Sequence, residues 1–190
     1  MKTFKRFFGI VTLIAIIATV AAPQAQAKKK RDTKKAAIEE LISQGNKCYQ
    51  EGNFEQAFQY FEEAHKKGDI RGTHNLAVCY AEGKGVVQDY KKALKLYEKA
   101  AKKGDIDSQE TLGEMYKNGY GCKRDFKKAI KWFEKAAKQG DSDSMYLIAS
   151  CYYYGGYGIK RDMKKAREWM QKSADLGNKT AIDNLSKLEE

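Results

Sequence analysis

The chain has 190 residues, 42% hydrophobic and 32% charged, with one proline and a formal net charge of +11. The charge invites a nucleic-acid reading, and its location excludes one. Residues 1–27 hold three basic and no acidic residues, residues 28–35 six and one, and residues 36–190 a nearly balanced 27 and 24. A partner surface for nucleic acid needs a basic patch or stripe on the folded body, and none is present.

The N-terminus reads as an export signal. Lys2, Lys5 and Arg6 precede the apolar run 7–22, and Ala25-Gln26-Ala27 has the small-x-small form of a cleavage site. The run is shorter than the roughly 20 residues that span a bilayer core, so residues 1–27 are expected to be removed and the mature chain to start at Lys28, periplasmic or secreted. The first cysteine is Cys48, far from a lipidation position. The segment "KKKRDTKK", 28–35, has no apolar residue among its charges and is expected to be a disordered, solvated tail. A weak contact with anionic lipid is the one membrane role it suggests.

Beyond the tail the chain repeats itself. Gly68-Asp69, Gly104-Asp105, Gly140-Asp141 and Gly177-Asn178 recur at spacings of 36, 36 and 37 residues. In each pair glycine can end one helix in the left-handed conformation, and Asp or Asn can cap the next. The unit 36–69 is lean, with Phe54, Ala57, Tyr60-Phe61 and Ala64 as its second-helix pattern. Units 70–105, 106–141 and 142–178 each carry two helical patterns. The first, helix A, holds Leu76-Ala77 and Tyr80, then Leu112-Gly113 and Tyr116, then Ile148-Ala149 and Tyr152. At 100° per residue these share one face and read as core. A glycine loop follows (Gly83 and Gly85, Gly119 and Gly121, Gly155, Gly156 and Gly158), then an N-cap aspartate, Asp89, Asp125 or Asp162. The second pattern, helix B, holds Ala93, Leu96-Tyr97 and Ala100, then Ala129, Trp132-Phe133 and Ala136, then Ala166, Trp169-Met170 and Ser173. Residues 179–190 read as a capping helix, with Leu185 in register with Leu112.

Residues 112–141 carry Leu-Gly-x-x-Tyr-x-x-Gly-x-Gly, an Asp cap, Lys-Ala and Lys-Ala-Ala-x-x-Gly-Asp. They resemble the Sel-1-like repeat, a cousin of the tetratricopeptide repeat. Three copies cover 70–178, and 36–69 looks more like a tetratricopeptide unit. The resemblance implies an all-α fold, a right-handed superhelix (solenoid) of antiparallel helix pairs, working as an adaptor for a protein or peptide. Its bacterial members are often exported. Secreted cysteine-rich members staple each repeat with cysteines eight positions apart, whereas Cys48, Cys79, Cys122 and Cys151 do not follow that spacing. A Cys122–Cys151 bridge and four small buried thiols both remain open readings.

In such a solenoid helix A lines the concave surface, and its residues opposite the core are candidates for partner contact. They are His74, Val78, Ala81 and Glu82, then Glu110, Glu114, Lys117 and Asn118, then Tyr146, Ser150, Tyr153 and Tyr154. Core positions rhyme between repeats and these do not. Tyrosines give rigid amphipathic contact area, so "YYYGGY" at 152–157 is a candidate hot spot, with packing beneath the cap near Ile182 and Leu185 as the rival reading. The family also suggests a β-lactam or cell-wall peptide hydrolase. Yet no serine has a lysine three residues on, and Lys179-Thr180 is followed by Ala181, so the motifs of that chemistry are missing. His65 sits in a last helical turn, where it suits the helix dipole, and His74 has no nucleophile beside it in sequence. The ligand pairs of a zinc site are also lacking. The expectation is a monomeric binding scaffold without cofactor or metal, and no enzyme.

Overall fold

A computed structural model describes the backbone of residues 2–187 and the side chains of residue 24 and residues 26–185. The expected export signal falls largely on residues whose side chains lie outside that set. Among the described residues the elements are all helices: α1 (Lys2–Gln50), α2 (Phe54–Lys66), α3 (Ile70–Glu82), α4 (Tyr90–Ala101), α5 (Ile106–Asn118), α6 (Phe126–Ala137), α7 (Ser142–Tyr154), α8 (Met163–Asp175) and α9 (Lys179–Lys187). Each packs chiefly on its neighbours in the chain. The end of α1 pairs with α2, then α3 with α4, α5 with α6 and α7 with α8, and α9 closes the stack. The product is an all-α superhelix of antiparallel pairs.

The helix boundaries follow from side-chain chemistry. Asp105 and Asp141 accept from the backbone N–H groups of Ser108 and Ser144, each at 2.9 Å. Asp89, Asp125 and Asp162 do the same for Lys92, Lys128 and Lys165. These bonds satisfy donors that have no partner inside the helix. At the other end of α3 and α5, Gly83 (φ 71°) and Gly119 (φ 82°) adopt the left-handed conformation. The lysine after each of these loop caps serves twice. Lys92, Lys128 and Lys165 approach their aspartates within 3.6–3.7 Å and lie 5.1–5.2 Å over the rings of Tyr80, Tyr116 and Tyr152. Each contact ties helix B of a repeat to its own helix A.

Inside the stack, Leu112, Phe133 and Ile148 are fully buried, with Ala77, Ala93, Ala129, Ala149 and Ala166 as close-approach positions. One pairing sets the spacing between the two helices of a repeat. A Cβ on Gly113 would stand 2.5 Å from Phe133 Cδ1, and one on Gly45 would stand 2.5 Å from Phe61 Cε1. The two other repeats have Ala77 facing a helix B with Tyr97, and Ala149 facing one with Met170. Glycine therefore goes with phenylalanine, and alanine with the other two side chains.

Two expectations are corrected. Residues 28–35 are not an irregular tail but part of α1, exposed along their length. Lys, Arg, Ala and Glu are good helix formers, and no glycine or proline interrupts residues 24–44, so a helix nucleated in the first repeat propagates backwards through them. All four cysteines are free, so the Cys122–Cys151 bridge is absent. Cys122 Sγ is turned to the Met115 carbonyl of its own repeat at 3.6 Å, and Cys151 is buried in the core. Cys122 stands where Val86 and Ile159 stand in the other loops, and all three pack partly buried against core clusters.

Candidate functional site: the helix A face

Helices α1, α3, α5, α7 and α9 lie side by side, and four joints connect them. At the first, Tyr49 donates to Glu82 at 2.5 Å and Arg71 pairs with Glu39 at 2.8 Å. At the second, His74 Nδ1 lies 2.9 Å from Ser108 Oγ and 3.3 Å from Asp105 Oδ2. At the fourth, Asn178 donates to Asp143 at 2.6 Å and accepts from Ala181 N–H, while Asn184 reaches Tyr146 Oη at 3.4 Å. These contacts sort the predicted surface residues.

His74 is a strut between repeats, stacked edge-on against Tyr97, and not an open groove residue. Val78 and Ala81 pack against the main core. Glu82 is held by Tyr49 and by Lys84 at 2.9 Å. Tyr146 packs with Trp169, Ala174 and Leu185 under α9, so it belongs to the cap. That corrects its reading as groove surface: α9 needs an apolar seat, and Tyr146 provides part of it. Glu110, Glu114, Lys117, Asn118 and Ser150 are partly exposed on α5 and α7. Tyr153 and Tyr154 stay outside the cap cluster. Their rings meet edge-on at 5.0 Å, Arg161 lies 5.5 Å over Tyr153, and Tyr154 is 72% exposed.

The third joint differs from the others. Position 110 is one repeat on from His74, and Asp141 and Ser144 are one repeat on from Asp105 and Ser108. A carboxylate, Glu110, therefore replaces the imidazole. Its pKa is pushed up to about 7, first by burial, then by Asp141, Glu114, Asp143 and Asp107. Ser144 Oγ, fully buried, has no hydrogen-bond partner. Sequence reasoning missed this joint because its members lie 31 and 34 residues apart, in different repeats.

The structure also brings together what sequence did not: a histidine, an aspartate and a serine at the second joint. A hydrolytic triad places the serine on one ring nitrogen and the acid on the other. Here both address Nδ1, and Ser108 is fully buried, so the group is a structural joint. His65 has a pKa lowered by burial and by Lys99 and Lys103, which makes it a neutral partner of Thr73 at 2.9 Å and not the expected dipole-neutralising cation. Among the described residues no three His, Cys, Asp or Glu side chains are grouped to hold a metal ion.

Comparison with known proteins agrees with this architecture. The family model described as "Sel1 repeat" matches residues 42–69, 70–105, 106–141 and 142–178, the first of these within the lean unit expected from sequence to be closer to a tetratricopeptide repeat. The crystal structure of a Sel1 repeat protein from Oxalobacter formigenes is 29% identical, with a TM-score of 0.72 over 79% of this chain and 62% of that one. The protective antigen c5321 of uropathogenic Escherichia coli, which displays an SLR fold, is 31% identical, with a TM-score of 0.73 over 80% and 33%. HcpC of Helicobacter pylori, whose name carries the word beta-lactamase, is 43% identical over 53 residues. The chain spans 18% of that relative's length and less than two thirds of either structure's. With four matched repeats over most of its length, and helix pairs stacked as in these structures, the chain belongs to the Sel1 repeat family.

Proposed function

We propose that the chain is an exported, monomeric scaffold that takes a protein or peptide segment along its helix A face. Sel1 repeat proteins are typically protein-interaction scaffolds. The observation that carries the finer reading is the pair Tyr153 and Tyr154, aromatic surface at the end of helix A that neither the core nor the cap uses. Such rings offer contact area at little entropic cost. Immobilised wild-type chain and the Tyr153→Ala/Tyr154→Ala variant would be compared for proteins captured from an envelope fraction. Loss of a captured species in the variant at an unchanged melting temperature supports the proposal. Identical capture profiles refute it.

Beta-lactam hydrolysis is favoured only by the HcpC name. The Ser108 arrangement speaks against it, because that hydroxyl is closed to substrate. A chromogenic β-lactam turned over by the purified chain would overturn this reading.

A further inference from the structure

We propose that the cleft between α2 and α4, floored by α3, is a second docking site, which takes a tryptophan side chain from an acidic segment of a partner protein. The site goes beyond the helix A reading above and does not depend on it. Repeat symmetry carries the argument. The cleft holds about 330 Å³, with Leu76, Tyr80 and Leu96 as its apolar floor and Lys66, Lys92 and Lys95 on its rim. One and two repeats on, the position of Leu96 holds Trp132 and Trp169, both packed against the main core. The lysine three residues later lies over each indole, Lys135 at 3.7 Å and Lys172 at 4.3 Å from the ring centroid. On α4 the lysine is present, as Lys99, and the indole is not. A leucine in that register leaves a cleft within the size range of small-ligand sites.

The surroundings set the partner's chemistry. The nearly balanced charge of residues 36–190 is uneven in space, because α4 and α6 each carry four lysines and one glutamate. Helix B of the second and third repeats is thus a basic side that the sequence total conceals. None of the ion pairs among the described residues involves Lys95 or Lys99. Glu62, the acid in the cleft lining, is already held by Lys66 at 2.7 Å. His65 is placed as a neutral ring: Nδ1–H donates to Thr73 Oγ, whose own proton goes to the Asp69 carbonyl at 2.8 Å. Its Nε2 is then the acceptor that faces Lys99 at 3.4 Å. An incoming indole takes Lys99 over its face as Trp132 takes Lys135, and flanking carboxylates pair with Lys95 and its neighbours. Tryptophan is also among the side chains most enriched at binding hot spots. An unstacked nucleic-acid base with its phosphates offers a related combination, but the neighbouring repeats place an indole in this register.

The test is an NMR titration of the ¹⁵N-labelled full chain with acetyl-Glu-Glu-Trp-Glu-Glu-amide at low salt. Shifts are expected at the amides of α2 and α4 that line the cleft. Replacing the peptide's tryptophan by alanine should weaken binding by about thirtyfold, and K95E should weaken it by about fivefold. Leu96→Trp, which copies the third and fourth repeats, should keep or raise the melting temperature and lose binding. Lys95 is exposed, so K95E reads the site on a folded protein even where Leu96→Trp unfolds. Absence of binding, equal binding of the alanine peptide, equal binding by K95E or by folded Leu96→Trp, or shifts confined to other sites each overturn the proposal. A single-stranded oligonucleotide that shifts the same amides at the same concentration overturns the acidic-protein assignment. Tyr153→Ala/Tyr154→Ala should bind the peptide as the wild type does, so the two surfaces stand or fail separately.

Discussion

Gly113→Ala tests the logic of the stack most directly. In an ordinary helix interior the change stabilises by up to about 1 kcal/mol, since glycine is the poorer helix former. Here the new methyl carbon would stand 2.5 Å from Cδ1 and 2.9 Å from Cζ of Phe133, a ring that is itself fully buried. The ring shares one buried core cluster with Leu112, Met115, Ala129 and Ala137. Overpacking of this kind costs about 1–3 kcal/mol, so a net loss of about 1–2 kcal/mol is expected. For a domain of this size that lowers the melting temperature by roughly 2–8 °C. Phe133→Met gives the third repeat the side chain that the fourth uses beside Ala149. The double variant should therefore recover most of the loss, with a coupling on the order of 1 kcal/mol. Urea titration followed by circular dichroism reads all four species. Gly113→Ala as stable as wild type, or a double variant no better than the sum of the singles, refutes the glycine–phenylalanine rule.

The other expectations are narrower. Asp125→Ala removes the acceptor for Lys128 N–H and the anchor for its ammonium, and should cost about 1 kcal/mol by the same titration. Glu110 has its folded pKa raised to about 7 from 4.5, so its contribution to stability is fully present below 4.5 and is lost as pH rises through 7. The wild type should accordingly lose melting temperature relative to E110Q over that interval, and parallel curves would show the acid to be unperturbed. Burial lifts Cys79 and Cys151 to about 11, so both thiols should resist alkylation in the native state and react after unfolding. A Cys122–Cys151 cross-link in the non-reduced peptide map would contradict the free thiols.

The fold was legible because packing positions in a solenoid must recur. Ala129, Phe133 and Ala136 rhyme with Ala93, Tyr97 and Ala100, since each repeat meets the same neighbour in the same way. The division of the surface residues was not legible, because it depends on what the next repeat presents. His74 and Glu110 occupy one position, with the same aspartate–serine pair a repeat further on, and differ in role because one is an imidazole and the other a carboxylate. Tyr146 looked equivalent to Tyr153 until α9 settled on one of them. The helical state of residues 28–35 was hidden for another reason: composition shows that a segment will not bury itself, not that it will stay irregular.

The glycine loops have a mechanical consequence. Gly121 lies so near the carbonyl of Tyr90, the first residue of the preceding helix B, that a Cβ there would come within 2.5 Å, and Tyr120 stacks on the Tyr90 ring at 5.1 Å. In the next repeat Phe126 N–H donates to Tyr157 O at 3.0 Å. At the opposite end of the same helices, Lys103 reaches Gly68 O and Gln139 reaches Gly104 O, each at 3.2 Å. The second and third repeats are thus fastened at both ends of their shared interface, like a plank nailed twice. A joint fixed at two points resists both bending and twisting, so the curvature of the helix A face is set before any partner arrives. Pulling the ends apart would load each joint as a unit instead of peeling it from one side.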